Sequence, residues 1–304
     1  QVRPSHEHRQ ELWRHEGSSM RSIVSIGESA LLFAEFLASY PEYNTYTIGH
    51  SGSEFKVPIF SDPERYDKPI NGLRRYLSTV SDEVTCVISG GETVSLTSLK
   101  VLEQLRDKKV DIVYLQPKLD LLNQSATMAH NLVHGVTQEM VRSKVFNRWY
   151  LFDLDLIKSV TPNVVLTEMK KSIASSAARH YHTFNWLRSQ DNLFGIDEES
   201  SQNAVISSIS YCDFDLTTVT DLGKLLFIRE QEVFYGISEQ KVKTDTELYD
   251  KVVKSFSGFK KEGVRTSFKV FSVPYEEDLI YVKNSTTAVQ NKVLVEAIDK
   301  ASNE

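Results

Sequence analysis

The chain has 304 residues, 40% of them apolar, and a formal net charge of −6. This length can bury one large core or two smaller ones, so we predict one to three domains. The acidic balance provides no broad basic field, which disfavours direct nucleic-acid binding. Apolar runs fall short of the ~20 residues of a membrane-spanning helix, and we find no signal-peptide pattern, so we predict a soluble cytoplasmic protein.

The first nineteen residues differ in character from the rest. Residues 1–19 are polar and precede Met20, after which an apolar run starts at once. We predict that they form a flexible arm or are a remnant of cloning. Their histidines lack the cysteine or carboxylate cage of a metal site. The two cysteines, Cys86 and Cys212, lie far apart and are predicted to be buried free thiols.

From residue 20 onward, short apolar runs alternate with amphipathic ones. The apolar runs predict strands at Ser22–Ile26, Tyr46–Ile48, Thr85–Ile88, Ile112–Leu115 and Trp149–Leu156. The amphipathic runs predict helices at Ser29–Ser39, Leu73–Leu77, Thr93–Leu105 and Leu121–Val141. Strands separated by helices of this length pair in parallel, with right-handed crossovers. We therefore predict a doubly wound, mostly parallel, Rossmann-like α/β domain over residues 20–160.

A long helix is predicted next, over Val164–Arg188, within a central segment of residues 161–190. Its apolar residues recur at steps of three and four, which is typical of a face packed on a core: Val165, Met169, Ile173, Ala177, Tyr181 and Phe184. Beyond it, strands are predicted at Ala204–Tyr211, Ser267–Val273 and Leu279–Val282, and helices at Thr246–Phe256 and Ser285–Ala301. Residues 191–304 therefore predict a smaller α+β domain, which the central helix joins to the first.

A glycine-containing turn lies between a predicted strand and a predicted helix. It reads Ser89-Gly90-Gly91-Glu92-Thr93-Val94-Ser95-Leu96. Such turns bind phosphate because unobstructed backbone N–H groups and the positive end of the helix point at the anion. The turn resembles the phosphate-binding G-G-G-T-G-T-G turn of the tubulin/FtsZ superfamily. The resemblance implies nucleotide-binding roles for Gly27, which follows the first strand, and for Gly90, Gly91, Thr93 and Ser95.

A second resemblance is carried by a pair of acids after a strand. The run Tyr211-Cys212-Asp213-Phe214-Asp215-Leu216-Thr217-Thr218-Val219 is similar to the N-x-D-F-A-D-V-x-T-V loop of tubulin- and FtsZ-like proteins. That loop reaches into the nucleotide pocket of the next subunit. By this resemblance, Asp213 and Asp215 are catalytic residues that polarise the attacking water. The alternative is structural: Asp213 caps a helix that begins near Thr217, and Asp215 is solvated.

The order of the elements extends the resemblance over Arg21–Gly236. Leu115-Gln116-Pro117 falls where FtsZ has T-K-P, and Leu154-Asp155-Leu156-Ile157 falls where it has P-N-D-x-L-L. We interpret the chain as a divergent prokaryotic or viral tubulin-like protein. The resemblance implies head-to-tail self-association driven by GTP or GDP with Mg²⁺.

Three regions of the implied nucleotide site depart from the family pattern. Glu92, Val94 and Leu96 stand where the family has glycines, and a carboxylate beside a triphosphate costs about 1–4 kcal/mol. The loop after the first strand has one glycine, followed by Glu28. On the central helix, Lys171-Ser172-Ile173-Ala174 replaces the amide and acid that face the purine. We therefore predict that GTP binding is weakened or lost.

Three functions stay open. The favoured one is a self-associating or scaffold protein without conventional nucleotide control, which acts through assembly or a protein partner. The second is an active GTPase that forms nucleotide-dependent cytoskeletal filaments. The third is a Rossmann-like sensor that binds another small ligand at Gly90–Thr93. His130 and His134 lie four residues apart, but no HExxH glutamate lies between them, so no metal site is predicted.

Overall fold

The computed structural model describes residues 20–60, 65–66, 68–162, 164–196, 204–214, 216 and 218–290. Their strands are β1 (Arg21–Ile26), β2 (Tyr43–Gly49), β3 (Phe55–Lys56), β4 (Glu83–Ser89), β5 (Lys109–Gln116), β6 (Arg148–Asp153), β7 (Phe194–Ile196), β8 (Ile206–Cys212), β9 (Val219–Asp221), β10 (Glu230–Ser238), β11 (Arg265–Val273) and β12 (Leu279–Thr286). Their α-helices are α1 (Glu28–Leu37), α2 (Leu73–Tyr76), α3 (Ser98–Gln104), α4 (Gln124–Arg142), α5 (Leu154–Val160), α6 (Met169–Ser189), α7 (Glu239–Thr244) and α8 (Leu248–Ser257).

These strands form one sheet with the order β3-β2-β1-β4-β5-β6-β8-β12-β10-β11-β7, and β9 pairs with β8. Every neighbouring pair from β3 to β8 is parallel, which confirms the predicted doubly wound α/β architecture. Strand β12 runs antiparallel to both of its neighbours. We call the edge where the parallel strands end the carboxyl edge, and the opposite one the amino edge.

Apolar side chains cover both faces of the sheet. One face packs against α3 and α4, through residues such as Val101 and Val133. The other packs against α1 and the central helix α6. The predicted stripe of α6 is buried at Ile173, Ala177, Tyr181 and Phe184, as expected for a core-facing helix. A third cluster lies between α8 and strands β10–β12.

Several predicted boundaries are wrong for local reasons. The strand predicted to reach Leu156 ends at Asp153, because the Asp153 carboxylate accepts the Asp155 and Leu156 N–H groups and starts α5. The helix predicted over Thr93–Leu105 is a 3₁₀ segment, Thr93–Thr97, followed by α3. Helix α6 begins at Met169, so Val165 precedes it and is exposed.

The closing helix predicted from Ser285 is also wrong at its start. Ser285 and Thr286 belong to β12 and pair with Ser207 and Ile206 of β8. The remainder of that helix, residues 291–304, and the arm of residues 1–19 lie outside the described residues. Because β8 pairs with both β6 and β12, the sheet continues across the domain boundaries drawn from the sequence. The division at residues 160 and 190 stays a proposal.

Candidate nucleotide site

Loops from four parallel strands meet at the carboxyl edge. Gly27 follows β1 and Gly90 follows β4, and a Cβ built on Gly27 would lie 2.7 Å from Ser89 Cβ. Gln116 at the end of β5 donates from Nε2 to Asp153 Oδ2 at 3.2 Å. The structure thus brings together Gly27, the turn at residues 90–95 and the two further family-like segments.

The Glu92 side chain turns toward the first turn of α1. Its Oε1 and Oε2 accept the Glu28 N–H at 3.2 and 2.9 Å, and the Ser29 N–H also donates to this carboxylate. Next to it, Ser89 Oγ accepts the Ala30 N–H at 2.8 Å. The first N–H groups of a helix have no acceptor within the helix and favour an anion. In this chain the carboxylate of Glu92 is that anion.

Burial affects the Glu92 carboxyl, which shares this corner of the site with the charged groups of Glu28 and Lys170. Burial raises the pKa of the Glu92 carboxyl above its ordinary value, although the hydrogen bonds from Glu28 and Ser29 oppose the shift. The Glu28 carboxylate points elsewhere and accepts from Lys170 Nζ at 2.6 Å. Two carboxylates and one ammonium group therefore occupy this corner of the edge.

Gly27 makes the approach of Glu92 possible. Its φ of 94° lies in the region that favours glycine, and a Cβ at this position would lie 2.7 Å from Glu92 Oε2. A side chain at residue 27 would therefore collide with the carboxylate that caps α1.

The glycines of the turn are packed against the segment that follows β5. A Cβ on Gly91, whose φ is 74°, would lie 2.8 Å from Leu122 Cδ2 and 3.0 Å from Pro117 Cγ. A Cβ on Gly90 would lie 2.6 Å from the Tyr114 hydroxyl oxygen. Close packing therefore explains why both positions are glycine, without a bound phosphate.

The two hydroxyl residues of the turn are placed differently. Ser95 is fully buried, and its Oγ donates to the Glu92 carbonyl at 2.6 Å, which closes the turn. Thr93 is half-buried and starts the 3₁₀ segment. Ligand contacts for either residue stay predictions.

No protein-family model and no curated protein matches the chain. Solved structures do match it. A GTPγS-form protofilament of TubZ from Bacillus thuringiensis serovar israelensis is 12% identical, with a TM-score of 0.68 over 94% of this chain and 91% of that one. The empty FtsZ dimer of M. jannaschii is 12% identical, with a TM-score of 0.58 over 93% of each chain. CetZ from Methanosaeta thermophila strain DSM 6194 is 11% identical, with a TM-score of 0.59 over 93% of this chain and 90% of that one.

The chain has the tubulin/FtsZ-like fold.

Within this tubulin/FtsZ-like fold, the start of the central helix lies beside the candidate site, because Lys170 pairs with Glu28. Lys171 is exposed, Ser172 is half-buried, and Ile173 and Ala174 are buried. No Asp or Glu occurs between Met169 and Ser176. The first two turns of α6 therefore offer no carboxylate to read a purine base.

Asp213 closes the loop between β8 and β9. Its Oδ1 accepts the Thr218 N–H at 3.3 Å, and its own N–H donates to the Thr218 carbonyl at 3.4 Å. The alternative in which Asp213 caps a helix is wrong, since the segment that follows is strand β9. Asp215 and Thr217 lie outside the described residues.

The direction of β8 bears on the predicted catalytic role. Because β8 runs parallel to β6, Asp213 lies at the carboxyl edge, like Gly90. The catalytic roles of Asp213 and Asp215 stay predictions.

The histidine pair lies in the core. His130 and His134 stack at 5.0 Å between ring centroids, and His130 Nδ1 is 2.8 Å from the Tyr114 hydroxyl. Across the ranges that the structure describes, no three His, Cys, Asp or Glu residues gather in a way that could hold a metal ion. None of the helices in those ranges is long and apolar enough to cross a membrane.

Proposed function

We propose that this protein is a self-associating tubulin/FtsZ-like subunit or scaffold in which ordinary GTP binding is weakened or lost. One observation carries the proposal: the Glu92 carboxylate accepts the N–H groups at the start of α1. A triphosphate at this position would face that carboxylate at a cost of about 1–4 kcal/mol. Displacing Glu92 would also sacrifice the cap of α1.

GTP with Mg²⁺ does not fit the residues present. Pro117 and Leu122 lie close to Gly91 and narrow the approach to it. The Ser95 hydroxyl already has an acceptor within the turn. The start of α6 carries no carboxylate for a base. These residues therefore do not support a hydrolytic mechanism.

Self-association is supported by exposed apolar side chains at both edges of the sheet. Leu166 and Val165, 81% and 62% exposed, precede α6 on the carboxyl edge. Met20 precedes β1 on the amino edge, where it is 57% exposed. Stacking head to tail would bury these side chains, and such an interface repeats without closing.

The solved structures supply independent support. TubZ of Bacillus thuringiensis is recorded as protofilaments and as two- and four-stranded filaments. We extend this mode of assembly to the present chain. A cytoplasmic location and a further protein partner stay predictions.

The proposal is tested by Leu166→Asp in a sedimentation assay, with and without GTP and Mg²⁺. We expect the unmodified protein to pellet equally in both conditions. An aspartate buried in the stacking interface should weaken association by ~30-fold or more, which corresponds to ~2 kcal/mol. Ile196→Asp is the matched control, because Ile196 is 48% exposed on the outermost strand β7 and pairs with Phe268 midway along β11. Pelleting only with GTP, or equal losses in both variants, would contradict the proposal.

A further inference from the structure

An apolar groove follows the outer face of α4. Two adjoining cavities of 760 and 430 Å³ lie along it and share Asn131 and Leu132 in their linings. Met128 lines the first and Met140 the second. The inner face of α4 is already buried on the sheet, through residues such as Val133. This helix thus has apolar residues on an outer face that the described residues leave half-exposed, as at Met128 (49%).

The last described residue is fixed beside this groove. The Gln290 N–H donates to Gln138 Oε1 at 2.7 Å, and Gln138 Nε2 donates to the Gln290 carbonyl at 3.1 Å. Gln290 is 5% exposed, and Val289 packs against the same core. Residues 291–304 therefore follow a residue that is held near the C-terminal end of α4.

Those fourteen residues have the pattern of an amphipathic helix. At helical spacing, Leu294, Ala297, Ile298 and Ala301 fall on one face and Val293 and Val295 flank it, while charged residues fall on the opposite face: Lys292, Glu296, Asp299 and Lys300. Such a helix would be ~21 Å long. Toward its C-terminal end, α4 continues for only four residues beyond Gln138, whereas the larger cavity lies in the opposite direction.

We propose that residues 291–304 bind as a helix in the α4 groove of their own chain, antiparallel to α4. Ile298 lies eight residues beyond Gln290, a rise of ~12 Å, which brings it within ~3 Å of the level of Met128, ten residues from Gln138. The apolar face then fills the cavity beside Met128 and Leu132, a helix-in-groove contact. The other unassigned segment, residues 1–19, starts from Met20 at the amino edge and is polar. This proposal does not depend on the proposed function.

The test is cysteine cross-linking in the full chain. A short bismaleimide should join Ile298→Cys to Met128→Cys within one molecule. Ile298→Cys with Val145→Cys is the matched control, since Val145 lines the far end of the same groove, and no cross-link is expected there. The native Cys86 and Cys212 are buried, and burial raises both thiol pKa values to about 12, so they stay unreactive.

A second measurement separates docking from chance proximity. Leu294→Asp with Ile298→Asp should release the segment and raise the maleimide labelling rate of Met128→Cys by about tenfold, or ~1.4 kcal/mol of docking free energy. An unchanged labelling rate would overturn the proposal. A cross-link formed between chains, or an equally efficient one to Val145→Cys, would overturn it as well.

Discussion

Replacement of Glu92 by alanine is expected to lower the free energy of unfolding by about 1–2 kcal/mol, because it removes the acceptor at the start of α1. It is also expected to open an anion site. The freed N–H groups of Glu28 and Ser29 then lie at the positive end of a ten-residue helix. Alanine suits the extended backbone of residue 92, whose φ is −98° and ψ is 139°.

The measurement is thermal and urea unfolding with and without inorganic tripolyphosphate. The variant should be stabilised by the anion, by ~2.7 kcal/mol at a hundredfold excess over the dissociation constant, and the unmodified protein should not respond. Glu103→Ala is the matched control, since it removes an exposed carboxylate that pairs only with Lys100 among the contacts described for it. Equal stability of Glu92→Ala and the control would show that the Glu92 contacts contribute little.

Acidification is expected to destabilise the fold between about pH 6.5 and pH 4. Burial lowers the pKa values of His130 and His180 to about 4 and those of His134 and His182 to about 3. In the unfolded chain these pKa values return to ~6.5. Between the two values the unfolded state binds more protons, so stability is full above pH 6.5 and falls as the pH falls.

Each buried histidine is expected to contribute on the order of 1–3 kcal/mol across this range. The raised pKa of Glu92 acts in the opposite direction, but it is one group against four. Urea titrations at several pH values measure the slope. His134→Leu should flatten it by up to one proton, while Gln138 keeps the Gln290 carbonyl as an acceptor. A free energy of unfolding that is flat from pH 7 to pH 4 would contradict the burial of these imidazoles.

The sequence predicted the fold well where a periodic pattern coincides with burial. Strands β1, β4, β5 and β6 are buried on both faces, which distinguishes central parallel strands from surface ones. The stripe Ile173, Ala177, Tyr181 and Phe184 fixed the position of α6. Boundaries were missed where a single side chain decides them, as with the Asp153 cap.

The candidate site was less accessible to sequence reasoning. The departures at Glu92 and Lys171 were visible, but the contact of Glu92 with the Glu28 N–H joins residues 64 positions apart. The sequence indicates this contact only by a glycine at residue 27 and an acid at residue 92. The placement of Asp213 depends on the direction of β8, which is set by pairing with β6 and not by the local pattern.

The most direct test of the proposed function is the melting temperature of the unmodified protein with GTP, GDP and Mg²⁺, followed by sedimentation of the same samples. If the proposed function is right, we expect no shift of the melting temperature with either nucleotide and equal pelleting in every sample, because the Glu92 carboxylate already occupies the start of α1. A melting temperature that rises with GTP in a saturable way, together with pelleting that requires GTP, would contradict it.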